Sequence, residues 1–395
     1  EAWLQLSTNN IQLPATINLL KNNTVAQTFS LSTKDSLLYI DSLQPNQNYS
    51  FQVSSILSAA GGQVSSNKLA TTTLDTTSHN FTWQTFEFGI QTNVSRLFDV
   101  AIINENNIWA VGEIYMNDSL GNPDPTRYNA IRWNGTNWTV IRIPYNYQGA
   151  DFYNPIQSVF AFGLNDIWFC GNGVIHWDGN NFNPVPIPIN VWGPYQMNKI
   201  WGSSSLDLYI VGSSGSIAHY QNGTWTKIES GTTTDINDIW GTNDIISNNL
   251  LVLCTVSSRY HIGDYKLLSI TRNTVNEYFS WPYTRLYGLW FNSPRNIYVL
   301  GDGAYVYKNN SLKTLNLPTN YFLTRVKGNT LNDIYISTAG AEIIHYNGIS
   351  WKGMSNGVYG KYEGMDVKGS TVALVGYNIE GGIVGKAVIT MGKHF

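Results

Sequence analysis

Hydrophobic and polar residues alternate in short runs along the chain, and the runs recur in a fixed order. A typical unit has an apolar strand, an Asp-Ile-Trp-like strand, a strand that ends in an aromatic residue before Asn-Gly or Asp-Gly, and a fourth strand led by an aromatic residue. One copy contains Asp166-Ile167-Trp168 and Trp177-Asp178-Gly179, and the next contains Asp207-Leu208-Tyr209, Tyr220-Gln221-Asn222-Gly223 and Trp225. Helical periodicity is absent. The pattern therefore predicts short strands joined by tight hairpins, an all-β fold.

The spacing of the copies predicts how the strands assemble. Equivalent second-strand positions are Trp109, Trp168, Tyr209, Leu251, Tyr298, Tyr335 and Ala373, at intervals of 59, 41, 42, 47, 37 and 38 residues. Such intervals match the length of a four-stranded propeller blade. We therefore predict a seven-bladed β-propeller over residues 78–395.

The last repeat lacks a fourth strand, but the segment 81–88 before the first repeat looks like one. An open ring would leave two blade faces uncovered. We therefore expect this segment to complete the seventh blade and to close the propeller.

Residues 1–77 carry a different pattern of alternating strands. The run Leu43-Gln44-Pro45-Asn46-Gln47-Asn48-Tyr49 resembles the fibronectin type III signature, in which a corner tyrosine returns its hydroxyl to the backbone of the preceding turn. The resemblance implies a fibronectin type III-like β-sandwich over residues 1–77. The segment is short for that family, which is consistent with an incomplete first strand.

The two parts together resemble extracellular repeat proteins of Bacteroidota and Ignavibacteria. These join fibronectin-like modules to propellers with Asp-Ile-Trp and His-Tyr-Asn-Gly repeats, like His345-Tyr346-Asn347-Gly348 here. The resemblance implies an extracellular or cell-surface location and a binding role. The chain begins at Glu1 in a strand-like segment, so we expect that leading residues, including a secretion signal, have been removed or are absent from this sequence.

Composition narrows the classes of partner. Charged residues make up 12% of the chain, the formal net charge is −3, and no Lys/Arg cluster occurs. This charge pattern argues against nucleic acid as a partner. No apolar run is long enough to span a bilayer as a helix. The only cysteines, Cys170 and Cys254, form no disulfide framework, and we expect buried free thiols.

Residues with catalytic chemistry are sparse. His176, His219 and His345 occupy the same repeat position, which separates them around the ring and favours scaffold roles. The aspartates that open several second strands suit turn capping. Neither a nucleophile elbow, a phosphate-binding loop nor Cys/His metal spacing occurs. We therefore expect a non-enzymatic protein without a cofactor or bound metal.

The first repeat carries a long insertion, Glu113 to Arg127, rich in oxygen ligands. These are Asn117, Asp118, Asn122 and Asp124. Side-chain oxygens of this kind bind calcium when their spacing is regular. The spacing is irregular here, so we expect an ordinary solvated loop, with calcium as the alternative.

Aromatic residues recur in the segments between the fourth strand of one repeat and the first of the next. The candidate binding residues there are Tyr153, Trp192, Tyr195, Trp281, Tyr283, Arg285, Tyr321, Tyr359 and Tyr362. Planar rings stack on sugars and are enriched at protein interfaces, so the predicted partner is a glycan or a protein at the cell surface. Three alternatives stand beside this prediction: a docking subunit of a larger assembly without a small ligand, a glycan-cleaving enzyme, and rings that merely pack between blades.

Overall fold

The computed structural model describes residues 1–9, 11–55, 63–90, 93–244, 249–258, 264–281 and 284–394. The chain divides into two compact units, residues 1–77 with 347–349, and residues 78–346 with 350–395. Apart from one 3-10 turn at Ser213–Gly215, the regular structure of the described residues consists of strands. The all-β prediction is confirmed. Within the described ranges, no helix has the length and apolar character needed to cross a membrane.

Within its described residues, the first unit contains seven strands in two sheets. The strands are β1 (Ala2–Ser7), β2 (Ala15–Lys21), β3 (Thr24–Leu31), β4 (Asp35–Ile40), β5 (Asn48–Ser55), β6 (Val64–Ser65) and β7 (Leu69–Thr72). One sheet pairs β1 with β4, and the other has the order β3-β2-β5-β6, with β7 also on β5. Buried Ile17 and Leu19 of β2 pack with Leu38 of β4, so the core lies between the sheets.

The predicted corner tyrosine makes its contact in this unit. The Tyr49 hydroxyl accepts a hydrogen bond from the backbone N–H of Gln44, with 3.0 Å between the two atoms. The bond ties the start of β5 to the turn before it. The contact expected from the sequence is therefore present.

The second unit begins with β8 (Phe81–Phe88) and continues with sheets of four antiparallel strands. The first sheet comprises β9 (Arg96–Asn104), β10 (Asn107–Ile114), β11 (Tyr128–Trp133) and β12 (Trp138–Ile141). After the separate hairpin of β13 (Tyr145–Tyr147) and β14 (Ala150–Phe152), the second sheet comprises β15 (Ser158–Gly163), β16 (Asp166–Cys170), β17 (Val174–Trp177) and β18 (Phe182–Pro184). The third sheet comprises β19 (Met197–Ser204), β20 (Asp207–Gly212), β21 (Ile217–Gln221) and β22 (Thr224–Ile228).

Four further sheets follow. They comprise β23 (Ile236–Asn243), β24 (Leu250–Ser257), β25 (Tyr265–Thr271) and β26 (Thr274–Ser280); β27 (Leu286–Trp290), β28 (Asn296–Gly301), β29 (Ala304–Lys308) and β30 (Ser311–Thr314); β31 (Leu323–Thr330), β32 (Asp333–Thr338), β33 (Ile343–Tyr346) and β34 (Trp351–Met354); and β35 (Gly360–Lys368), β36 (Thr371–Glu380) and β37 (Ile383–His394), with β8 as the fourth strand.

The pairing of β8 joins the two ends of the second unit. It runs antiparallel to β37, with Phe86 opposite Ile389 and Trp83 opposite Gly392. Gly392 leaves room for the indole, because a Cβ there would lie 2.2 Å from a ring carbon of Trp83. The segment that resembled a fourth strand is thus a fourth strand.

The first strands of the seven sheets, which we call the inner strands, contact one another in sequence. Each contacts the first strand of the next sheet, and β35 contacts β9. Buried apolar clusters fill the spaces between consecutive sheets; for example, Trp109 of the first sheet packs on Phe169 of the second at 5.7 Å between centroids. Cys170 and Cys254 are buried and unpaired in these clusters, as predicted.

A glycine that recurs in the second strand, opposite the beginning of the first strand, has a steric cause. A Cβ on Gly212 would lie 2.1 Å from the carbonyl oxygen of Gln196, and one on Gly376 would lie 1.9 Å from that of Lys361. The register between first and second strands shifts at these positions, which brings the two backbones together. Glycine therefore permits the bulge near the start of the inner strand.

Candidate functional site

The segments that carry the candidate aromatic residues share one edge of the sheets. Because the strands of each sheet are antiparallel and in chain order, the connections between sheets lie at the same edge as the turns between second and third strands. Two side-chain contacts are consistent with this arrangement. The ring of Tyr145, from a connection between sheets, covers Gly173 after β16, and the ring of Tyr321, from another such connection, covers Gly340 after β32. We call this edge the connecting face.

Three of the predicted aromatic residues are exposed on the connecting face. Tyr195, Tyr321 and Tyr359 are 46%, 53% and 73% exposed, and each lies before a different sheet. Tyr153 is partly buried beside the β13–β14 hairpin. These four rings are accessible to a partner to different extents.

Three other candidates are buried, which corrects the expectation that they line an open face. Trp192 donates its indole N–H to the carbonyl of Tyr195 at 2.8 Å and fills the space over Gly212. Trp281 is 7% exposed and packs on Phe279. Tyr362 is fully buried because it belongs to the inner strand β35, where its hydroxyl donates to a threonine of β37 at 2.8 Å.

Arg285 is held by a carboxylate. Its guanidinium makes two close contacts with Asp302, with distances of 2.7 Å from Nη2 and 2.9 Å from Nε to Oδ1, and it lies over the ring of Phe322. The hydrogen bond with Asp302 raises the pKa of Arg285 further. The charge of Arg285 is thus already compensated. The remaining candidate, Tyr283, lies outside the described residues.

Polar recesses lie beside two of the exposed tyrosines. A recess of about 480 Å³ next to Tyr195 includes the ion pair of Lys227 and Glu229. Another of about 640 Å³ next to Tyr321 includes Glu342, which accepts a 2.6 Å hydrogen bond from Thr319. Each recess combines one flat ring with hydrogen-bonding groups. This combination suits a partner with both apolar and polar groups.

The three repeat histidines contact three different aspartates, as expected for scaffold residues. In each case the aspartate opens the second strand and the histidine lies in the third strand of the same sheet. The pairs are His176 with Asp166 at 2.8 Å, His219 with Asp207 at 2.6 Å, and His345 with Asp333 at 3.0 Å. Each histidine also stacks on the aromatic residue opposite, as Tyr209 does on His219 at 4.2 Å.

The sequence carries a signal for this pairing in the residue that opens each second strand. Where the second strand opens with asparagine, the histidine is replaced. In the first sheet Asn107 opens the second strand and accepts a hydrogen bond from Arg132, which takes the place of the histidine and lies over Trp109. In the fifth sheet Asn296 opens the second strand, and Val306 takes the place of the histidine opposite Tyr298. The aspartate and the histidine therefore vary together among the repeats. Their joint variation indicates a structural pair within one sheet.

Carboxylates of the insertion in the first sheet are engaged by the insertion and by Arg142. Asp118 accepts from the backbone N–H groups of Leu120 and Asn122, and Asp124 accepts from Thr126 and pairs with Arg142 at 2.5 Å. Nowhere in the described ranges do three or more His, Cys, Asp or Glu side chains gather as metal ligands would.

The inner strands hold charged residues that the sequence analysis missed. Asp99 of β9 is 2% exposed and accepts from Ser158 at 2.6 Å and from the backbone of Val159 at 3.0 Å, both on the next sheet. It also pairs with Lys199 of the third sheet at 2.6 Å. Burial by itself raises the pKa of Asp99, but the charge of Lys199 and these hydrogen bonds outweigh burial and hold it below its usual value.

Comparison with known proteins identifies the architecture but not a family. No family model and no curated protein matches the chain. Among solved structures, similar ones are YCF48 bound to D1 peptide (TM-score 0.57, 11% identity), YCF48 from Cyanidioschyzon merolae (0.56, 15%) and the WD40 β-propeller domain of Doa1 (0.54, 11%). Each alignment covers 78% of this chain and 96%, 98% and 97% of the respective structure. The larger part of this chain has the β-propeller fold.

Proposed function

We propose that this protein is a non-enzymatic extracellular recognition module that binds a peptide segment of a protein partner on the connecting face. The observation that carries the proposal is the set of exposed tyrosines Tyr195, Tyr321 and Tyr359 on one edge, two of them beside polar recesses. Large aromatic side chains left in solvent are typical of interaction surfaces. The extracellular location rests on the sequence resemblance alone.

The similar structures support a peptide over a glycan. One of them is YCF48 bound to D1 peptide, so a propeller of related shape can hold a peptide. The recesses also carry both acidic and basic groups, Glu229 with Lys227 and Glu342 alone, which offer contacts to main-chain and charged groups.

We also propose the finer architecture on which the site depends. The seven four-stranded sheets would be the blades of one propeller, closed by β8, and residues 1–77 would be a fibronectin type III-like spacer. The closed cycle of inner-strand contacts and the β8–β37 pairing support the first part. The Tyr49–Gln44 contact supports the second. Limited proteolysis within residues 73–80 should release a propeller that retains binding.

Selection of peptides from a random display library against the immobilised chain tests the function, with a glycan array run in parallel. The triple variant Tyr195→Ala, Tyr321→Ala and Tyr359→Ala should weaken selected peptides at least about tenfold, since truncating an interface aromatic costs about 1–2 kcal/mol. The matched control is Leu164→Ala with Leu206→Ala, which removes exposed side chains at the opposite edge.

Three outcomes would overturn the proposal. Peptides that respond to the control but not to the triple variant would place binding on the other edge. Saturable binding of glycans alone, lost in the triple variant, would assign the connecting face to sugars. Stoichiometric co-purification with a larger assembly that survives the triple variant would support the docking-subunit alternative.

A further inference from the structure

A cavity of about 180 Å³ lies where the inner strands face one another. Its lining comes from the first strands of six sheets, β9, β15, β19, β23, β31 and β35. The rings of Phe160, Trp201 and Trp240 form part of the wall. Since a cavity of roughly 150 Å³ can hold benzene, this one has room for a single flat apolar group.

The cavity wall carries more positive than negative charge. Lys199, Lys327 and Lys368 line it, together with one carboxylate, Asp366. The chain as a whole has a formal net charge of −3. Lys199 is neutralised by Asp99, so the positive charge that an anion would meet in the cavity comes from Lys327 and Lys368.

Lys327 is the lysine of this wall that is buried and, within the described residues, has no ion-pair partner. It is 6% exposed, and its Nζ lies 3.5 Å from the ring centroid of Trp240. Among the residues that the structure describes, none forms a hydrogen bond or salt bridge with Nζ, whereas the neighbouring Lys199 is paired with Asp99. Burial lowers the pKa of Lys327 to about 8. A buried ammonium that contacts a ring but no anion at salt-bridge distance is only partly compensated, and an anion in the cavity would pair with it.

The nearby carboxylates are held by their own neighbours. Asp238 accepts from the backbone N–H groups of Ile239 and Leu289 at 3.0 Å, and Asp366 accepts from that of Ile102 at 2.7 Å. Each therefore lies fixed against a strand, at more than salt-bridge distance from Lys327. Burial also raises the pKa of Asp366, which weakens its competition for the ammonium.

Solvent can reach this cavity. Lys368 is exposed, and Asp366 and Val367, which also line the wall, are partly exposed. These three residues form the end of β35, next to the turn that follows it. A small solute can therefore enter beside this turn.

We propose that the cavity binds a small carboxylate with a flat apolar body, whose anionic group pairs with Lys327 while its body lies against Trp240 and Trp201. The site is distinct from the connecting face and does not depend on the peptide binding proposed above. An ammonium in an apolar pocket supplies both halves of the recognition: charge for the carboxylate and ring surface for the body.

Benzoate and its neutral analogue benzamide test the proposal with the full chain, by calorimetry and ligand-observed NMR at millimolar concentration. Benzoate should bind at least about tenfold more tightly than benzamide at about pH 7, because the analogue lacks the charge. Lys327→Met should remove this preference. The control Lys227→Met, at an exposed lysine paired with Glu229, should keep it.

A pH series guards against a variant that fails to fold. In the unmodified chain the affinity for benzoate should fall up to about tenfold per unit above about pH 8, as Lys327 loses its proton, and benzamide binding should stay constant. Lys327→Arg keeps the charge and should abolish this fall. Charged groups that face Lys327 from neighbouring strands are Asp99, Lys199, Asp238, Asp366 and Lys368. If they cause the fall, it will persist in Lys327→Arg.

Any of three results would overturn the proposal. Equal affinity for benzoate and benzamide would show that charge plays no part. Retention of the preference in folded Lys327→Met would assign it to another residue. Failure of benzoate to saturate any site at millimolar concentration would mean that the cavity does not bind such carboxylates.

Discussion

Replacing Asp99 by alanine should destabilise the second unit more than an ordinary polar substitution. Asp99 accepts hydrogen bonds from Ser158 and Val159 and pairs with Lys199, so it links three consecutive sheets. Its removal leaves Lys199, 8% exposed, as a buried charge without its partner. Orphaning one member of a buried ion pair costs about 3–5 kcal/mol, and the backbone N–H of Val159 also loses its acceptor. We therefore expect a loss of about 4 kcal/mol in the free energy of unfolding.

A double-mutant cycle separates the ion pair from the loss of packing. Asp99→Asn and Lys199→Met each leave one buried charge, but the double variant leaves none. The double variant should therefore be more stable than the sum of the single effects predicts, with a coupling energy of about 2 kcal/mol. Urea unfolding followed by tryptophan fluorescence measures all four proteins.

The pH dependence has a defined sign. The pKa of Asp99 is lower in the folded chain than its ordinary value, so its contribution to stability is present above about pH 4 and is lost as pH falls through the folded pKa. The double variant should lose less stability on acidification. Strict additivity of the two substitutions, within about 0.5 kcal/mol, would refute the inference that Asp99 and Lys199 act as a pair.

Two further predictions concern strand packing and protonation. Gly376→Ala should destabilise the chain by about 2 kcal/mol, because the new Cβ would lie 1.9 Å from the backbone oxygen of Lys361. The control Gly163→Ala, whose Cβ would have nothing within 4 Å, should change the free energy of unfolding by less than about 0.5 kcal/mol. Equal losses of stability in urea unfolding would contradict the steric argument. Burial and the neighbouring His345 lower the pKa of His79, so the stability of the chain should fall as pH drops through about 6.5. The melting temperature of His79→Gln should therefore fall less between about pH 7.5 and 5.5 than that of the unmodified chain. An unchanged fall would assign the pH dependence to other groups.

Exposure of the candidate aromatic residues could not be predicted from their sequence positions. Trp192 and Tyr195 lie three residues apart in one connection, yet the first is 6% exposed and the second 46%. The difference arises because Trp192 faces Gly212, which has no side chain to exclude the indole. Burial thus depends on a residue in another strand, which a pattern within one connection does not contain.

What the sequence determined by itself was the local structure and its repetition. Alternation with a period of two and Asn-Gly turns act between residues close in the chain, so the strands, the blade-length repeat and the fourth-strand character of Phe81–Phe88 were predictable. Only the tertiary structure determined which charged residues pair and where the cavity lies. The Asp99–Lys199 pair joins residues from different sheets, and the cavity at Lys327 is built from six of them. Such sites require the ring of inner strands, because only packing between sheets brings their side chains within contact distance.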